Sequence, residues 1–315
     1  REHDRAPRGP GILDVQRGPM RIDMPMIRTS WLEGKAGQST DLRGREPFVA
    51  VSWAEANRLV ADELTRVRRD FGNQAIYGGS YGWASAGRFH HAQSQLKRFL
   101  NCIGGFTSSK FTYSFAAAEA MVPHILGSFR AYLDTCTSWE VIRDHTQIFV
   151  CFGGVPLKNG QISQGGTGCH IQRDALLAAG GAGIEIINVS PIKSDMLEEV
   201  GAEWLPLRPN TDVAMMLGLA HTLQVEGLTD QAFLDRYTQG FEYFLPYLMG
   251  EQDGIAKTAD WAAEICESPA ETIRGWARRM AAQRTMISLS WSLTRQDHGE
   301  QPFWMGITLA SMLGQ

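Results

Sequence analysis

Tyr81 and Trp83 stand two residues apart in YGGSYGWASAGRFHH, a glycine-punctuated stretch that reads as a turn from a strand into a helix. Glycine serves the backbone of such a turn, but an adjacent phenol and indole do not. Two aromatic side chains with polar tips there suit a bound molecule that carries an acceptor. Ser114, in FTYSFAAAEA, has several readings. It can cap the helix that follows. As a nucleophile it lacks a GxSxG elbow and an obvious base. As an alkoxide ligand it would need a high-valent metal to depress its pKa. Lys158 in PLKNGQ, Lys193 in SPIKS and Arg295 in SLTRQDHGEQ are candidate phosphate holders, although each alone reads equally as a solvated surface charge. Asp212, in NTDVAMM, could accept the two parallel donors of a guanine edge or simply sit well in the first turn of a helix.

The elements that must position these residues follow from periodicity. SWAEANRLVADELTRVRRDFG has apolar residues at helical spacing and ends in glycine, and QAIYGG then reads as a short buried strand. RFHHAQSQLKRFLNCIGG is a further helix, and SFAAAEAMVPHILGSF another, with Pro123 predicting a kink or break. From Gln147 onward QIFVCFGG, HIQRDALLAAGGAG, IEIINV, WLPLRP, NTDVAMMLGLAHTLQVEG, ETIRGWARRMAAQ and TMISLSW alternate strand and helix. That order predicts an α/β fold with a doubly wound, mostly parallel sheet. Asn210 or Thr211 is expected to cap one of these helices, and SPAE to form a capping box for another. Residues 1–50 read as an extended, loop-rich lead-in, 51–145 as a helix-rich α/β domain, and 146–315 as an incomplete Rossmann-like region. The closing stretch WMGITLASMLGQ, a helix with no tail, leads us to expect one part of a longer protein. In an open sheet of this kind the ligand crevice lies beyond the carboxyl ends of the strands, which is where SYGW, PLKNGQ, VSPIKS and WSLTRQDH fall.

Bulk properties narrow the field. A net charge of -4 over 315 residues gives no electrostatic reason to bind nucleic acid. No apolar run approaches the roughly 20 residues that span a bilayer. The five cysteines form no CxxC pair that would suggest zinc or an iron–sulfur cluster. There is no GxGxxG after a strand, which weighs against a nicotinamide dehydrogenase.

Taken together, SYGWASAG, TYSFAAAEAMVPHILGS, NTDVAMMLGLAHTL, FLPYLMGEQDGIAKTADWAAEI and WSLTRQDHGEQPFWM make a specific ordered set. From about residue 21 to the end, the chain resembles the dimethyl sulfoxide reductase family of molybdopterin oxidoreductases. The likeness is to the branch holding dimethyl sulfoxide, biotin sulfoxide and trimethylamine N-oxide reductases. The resemblance implies molybdenum in a bis(molybdopterin guanine dinucleotide) cofactor, with Ser114 as the metal's side-chain ligand and Tyr81 and Trp83 at the active site. It also implies cofactor contacts at Trp83, Lys158, Gln161, Ser190, Lys193, Asn210, Thr211, Asp212, Trp291, Ser292, Arg295 and His298. The implied reaction is oxygen-atom transfer from an S-oxide or N-oxide, with electrons from a donor protein or a reduced cofactor. A second chain completing the fold is a further implied partner. Two departures stand out: TYSFAAA where relatives read DYSTGAA, and VSP where they read IDP. The competing reading is a truncated, non-catalytic scaffold.

Overall fold

Ser52 accepts a hydrogen bond from the Glu55 backbone N at 3.2 Å, with Glu55 in the first turn and Arg68 and Arg69 in the last. Cap and charges thus agree with the helix dipole over a 19-residue helix that ends at Gly72, φ 77°. The computed structural model describes residues 9–34, 41–80, 82, 85, 87, 89–160 and 169–315. The chain divides into two compact units, Arg1–Ser109 with Ser163–Thr167 and Lys110–Ile162 with Gly168–Gln315.

The first unit holds α1 (Gly9–Arg17), β1 (Met26–Arg28), α2 (Thr29–Leu32), β2 (Phe48–Ala50), α3 (Trp53–Phe71) and α4 (Ala92–Cys102). β1 and β2 pair antiparallel, so the lead-in is more regular than its Arg, Pro and Gly content suggested. The expected strand at QAIYGG is a single parallel bridge between Tyr77 and Thr107. Ile76 is buried, but Asn73–Ala75 is a 3-10 turn whose side chain Asn73 ties down the carbonyls of Ile103 and Gly105. A side-chain clamp does there what a ladder was expected to do. The next helix starts at Ala92, with His91 Nδ1 accepting from Ser94 N, later than RFHH suggested.

The second unit runs α5 (Ala116–Leu126), α6 (Phe129–Asp134), α7 (Trp139–His145), β3 (Ile148–Phe152), α8 (Gln172–Gly181), β4 (Glu185–Val189), β5 (Glu203–Leu205), α9 (Asp212–Val225), α10 (Gln231–Tyr237), α11 (Phe241–Leu248), α12 (Ala259–Cys266), α13 (Ala270–Ala282), β6 (Thr285–Leu289) and α14 (Gln301–Met312). The four strands pair in parallel in the order β5-β4-β3-β6, confirming the doubly wound α/β reading. Alternation along β3 shows why helices cover both faces. Ile148, Val150 and Phe152 join one core with α9, α12, α13 and α14, while Phe149 and Cys151 join another with α7 and α8. α9 is buried on nearly every side, and Gly218 lets it approach α12 so closely that a β-carbon there would lie 2.7 Å from Ala262 Cβ.

Three local expectations are corrected. α5 continues through Pro123. The α9 N-cap position is Thr211, but its hydroxyl donates back to the Arg208 carbonyl at 2.7 Å and no side chain caps the helix. The SPAE capping box does not form, because the N-cap of α13 is Pro269, one residue past Ser268, and Glu271 pairs with Arg274 instead.

Candidate functional site

The strand order reverses between β3 and β6: from β3 the chain winds outward through β4 and β5, then returns to β6 on the other side. Loops diverge at such a point and leave a crevice at the carboxyl ends. Here the ends are held very close. Gly153, φ 81°, follows β3, and a β-carbon on it would lie 2.6 Å from Ser290 Cβ just after β6. Gly154, φ 68°, would place one 2.6 Å from the Asp195 carbonyl oxygen. Only glycine gives both the left-handed backbone and the clearance.

Around this point the expected residues gather in three groups. Beyond β6, Trp291 packs its ring 4.1 Å from that of Phe115, and Arg295 Nε donates to the Ser114 carbonyl at 2.9 Å, joined by Thr294 Oγ1 at 3.4 Å. The Ser114 loop is therefore pinned to the end of β6. The N-cap position of α5 is Phe115, not Ser114, and no side-chain cap forms there. Beyond β3 and β4, Asp195 binds two expected residues at once, accepting from Lys158 Nζ at 3.2 Å and from the buried Ser190 hydroxyl at 3.0 Å. Lys193 is exposed beside them on the same pocket of about 590 Å³, which Asn188 and Trp204 also line. At the start of α9 lie exposed Asn210, φ 66°, and buried Thr211 and Asp212. Ser292 donates to Ser290 Oγ at 2.9 Å, and His298, φ 53°, is exposed near Asp297 and Glu300. Tyr81, Trp83 and Gln161 lie outside the described residues.

Burial pushes the Asp212 carboxyl up to about 6, opposed by hydrogen bonds from its own backbone N–H and the Gln296 side chain. A folded-state pKa above the ordinary 3.8 means that the folded protein holds this proton more tightly. The associated stability is full below about pH 4 and is lost as pH rises through about 6. Asp212→Asn should flatten the stability profile between those values and leave the variant more stable than its parent at pH 7, by about 1–2 kcal/mol. Urea unfolding at several pH values checks this, and parallel profiles for the two proteins would refute it. A ligand with donors for the ionised carboxylate reverses the preference, so such binding should weaken as pH falls through 6.

Residue typing alone missed Asp195, Asn188 and Trp204, whose indole N–H donates to the Ser190 carbonyl at 2.8 Å. Asn188 left one signal, an amide in the otherwise apolar IIN run of β4.

A parallel, doubly wound sheet with a pocket lined by two lysines beyond its carboxyl ends is a frame on which ligands bind at the switch point. The molybdopterin oxidoreductase family model matches residues 21–315, and the chain belongs to that family, whose cofactor is molybdenum held by molybdopterin. It is 46% identical over 94% of its length to a biotin sulfoxide reductase of Cereibacter sphaeroides, covering 40% of that protein. To a dimethyl sulfoxide/trimethylamine N-oxide reductase of the same organism it is 44% identical over 97% of its length, covering 37% of the relative. The chain thus spans about two fifths of the length of these relatives. Acetylene hydratase from Pelobacter acetylenicus shares the fold, with TM-score 0.65 at 20% identity, over 99% of this chain and 38% of that one. No helix among the described residues is long and apolar enough to cross a membrane.

Proposed function

We propose that this chain is the part of a molybdenum S-oxide or N-oxide reductase that holds much of a bis(molybdopterin guanine dinucleotide) cofactor. The observation that carries the reading is the pocket of about 590 Å³ beyond β3 and β4, lined by Lys158 and Lys193, with the Ser114 loop tied to the end of β6 through Arg295 and Thr294. The residues present fit the group: Lys158 and Lys193 line one pocket of about 590 Å³ and suit phosphates, and Asp212 suits the paired donors of a guanine. Residues 146–315 serve as the cofactor-binding region in this reading, with Gln161, Ser190, Asn210, Thr211, Trp291, Ser292, Arg295 and His298 as further contacts. Ser114 is the metal's side-chain ligand.

When bound, the group supplies the two-electron redox chemistry that takes oxygen from the substrate. The chain's own residues do the rest. Tyr81 and Trp83 would donate hydrogen bonds to the substrate's oxygen, and Ser114 would supply a hard anionic oxygen after losing its hydroxyl proton on binding the metal. A donor protein or reduced cofactor supplies electrons, and a second chain is a further proposed partner. Molybdenum and pterin analysis of the purified protein tests the reading. Absence of both would favour the scaffold alternative.

In this reading Tyr81, two residues before Trp83, is a phenol donor suited to the S=O oxygen, so the substrate proposed is an S-oxide. Tyr81→Phe should lower sulfoxide turnover by about one to two powers of ten, the worth of a hydrogen bond to a partly charged acceptor. N-oxide turnover should stay level or rise. Steady-state kinetics on one substrate of each class decides, and equal losses on both would make Tyr81 a structural residue.

A further inference from the structure

Asn188 is only 1% exposed, and its Oδ1 has no hydrogen-bond partner. A buried acceptor left unmade is costly, and such atoms in folded proteins call for an explanation. The rest of the side chain is engaged, since Nδ2 donates to the Lys193 carbonyl at 3.2 Å and fixes the turn that carries that lysine. Oδ1 lies under the glycine turn after β3, where a β-carbon on Gly154 would sit 3.1 Å from it. In register, Asn188 stands between Cys151 of β3 and Trp204 of β5. It lines the pocket of about 590 Å³ shared with Lys158, Lys193 and Trp204. That volume suits a nucleotide-sized ligand.

We propose that Asn188 is a recognition residue for the nucleoside part of the cofactor: its Oδ1 accepts a hydrogen bond from a hydroxyl or N–H of the nucleoside, while the two lysines take the phosphates. The inference rests on the dinucleotide reading above and deepens it. The lysines alone distinguish anion from neutral molecule. Asn188 adds a requirement for a donor, so a nucleoside diphosphate is preferred over bare pyrophosphate.

The test is calorimetric titration of the cofactor-free full chain with GDP and, separately, with inorganic pyrophosphate. The parent protein should bind GDP more tightly. Asn188→Leu, close in volume and without an acceptor, also loses the Nδ2 bond to the Lys193 carbonyl, and any loosening of that lysine falls on both probes alike; GDP should therefore weaken about 5- to 10-fold more than pyrophosphate, the worth of one hydrogen bond. It should still fold, because the stability lost with the Nδ2 bond to the Lys193 carbonyl is offset by removal of a buried acceptor that has no partner. Asn188→Ala provides the same comparison if the leucine variant fails to fold. Equal loss on both probes, or no loss on either, overturns the role of Asn188 while leaving the cofactor reading in place. A parent protein that binds neither probe overturns both.

Discussion

Ser114→Ala lowers turnover of the cofactor-loaded protein by at least about a hundredfold, equivalent to roughly 2.7 kcal/mol on the barrier. Loss of a helix cap would cost about 1 kcal/mol, but α5 takes Phe115 as its N-cap and has no side-chain cap. The loop also keeps its anchor, because Arg295 Nε and Thr294 Oγ1 hold the carbonyl of residue 114 and not its side chain. The activity loss is therefore expected with the Arg295 and Thr294 anchor of the loop still in place. Ser114→Cys sharpens the test by exchanging a hard oxygen for a soft sulfur, which should move the metal's absorption bands. An alanine variant with normal turnover and an unchanged metal spectrum would remove Ser114 from the metal.

Gly154→Ala should destabilise the protein by about 2–4 kcal/mol. Left-handed backbone at φ 68° accounts for about 1 kcal/mol of that with alanine. The remainder is steric, since the new methyl would sit 2.6 Å from the Asp195 carbonyl oxygen and 2.7 Å from its Cβ. Relief means moving Asp195, which breaks the 2.8 Å bond from Val155 N and loosens the carboxylate that binds Lys158 and Ser190. Gly183 is the internal control: its φ is 83° and nothing lies within 4 Å of a β-carbon there. Gly183→Ala should cost only the backbone part. Urea midpoints of the two variants give the comparison, and equal shifts would show that close approach at residue 154 is unimportant.

Physical reach explains what the sequence disclosed. Ile148–Phe152, Glu185–Val189 and Thr285–Leu289 are apolar runs bounded by glycine, serine or charge, so their strands were legible, and their order implied parallel pairing. Caps were not, because Ser268 and Pro269 compete for one position and a shift of a single residue moves the hydroxyl out of range. QAIYGG failed as a strand since strand formation needs a partner on the right edge, and only Tyr77 and Thr107 meet. In the site, Lys158, Ser190 and Lys193 were visible as polar residues directly after strands. Asp195 was not, because its importance comes from joining two loops 37 and 5 residues away, a fact of tertiary structure. Asn188 was visible as an amide among apolar neighbours, but only burial makes its lone acceptor meaningful.

The last strand reaches back far along the chain. Arg284 N donates to the Gln147 side chain across 137 residues, next to the register in which Ile148 faces Thr285. On a ribosome adding about 5–20 residues per second, β3 is therefore made roughly 7–27 s before the strand that covers its second edge. During that interval β3, β4 and β5 can assemble while one edge of an apolar sheet stays open to any neighbouring nascent chain. Slowing elongation between codons 150 and 285, or crowding polysomes, should thus raise aggregation of this protein without altering the finished molecule.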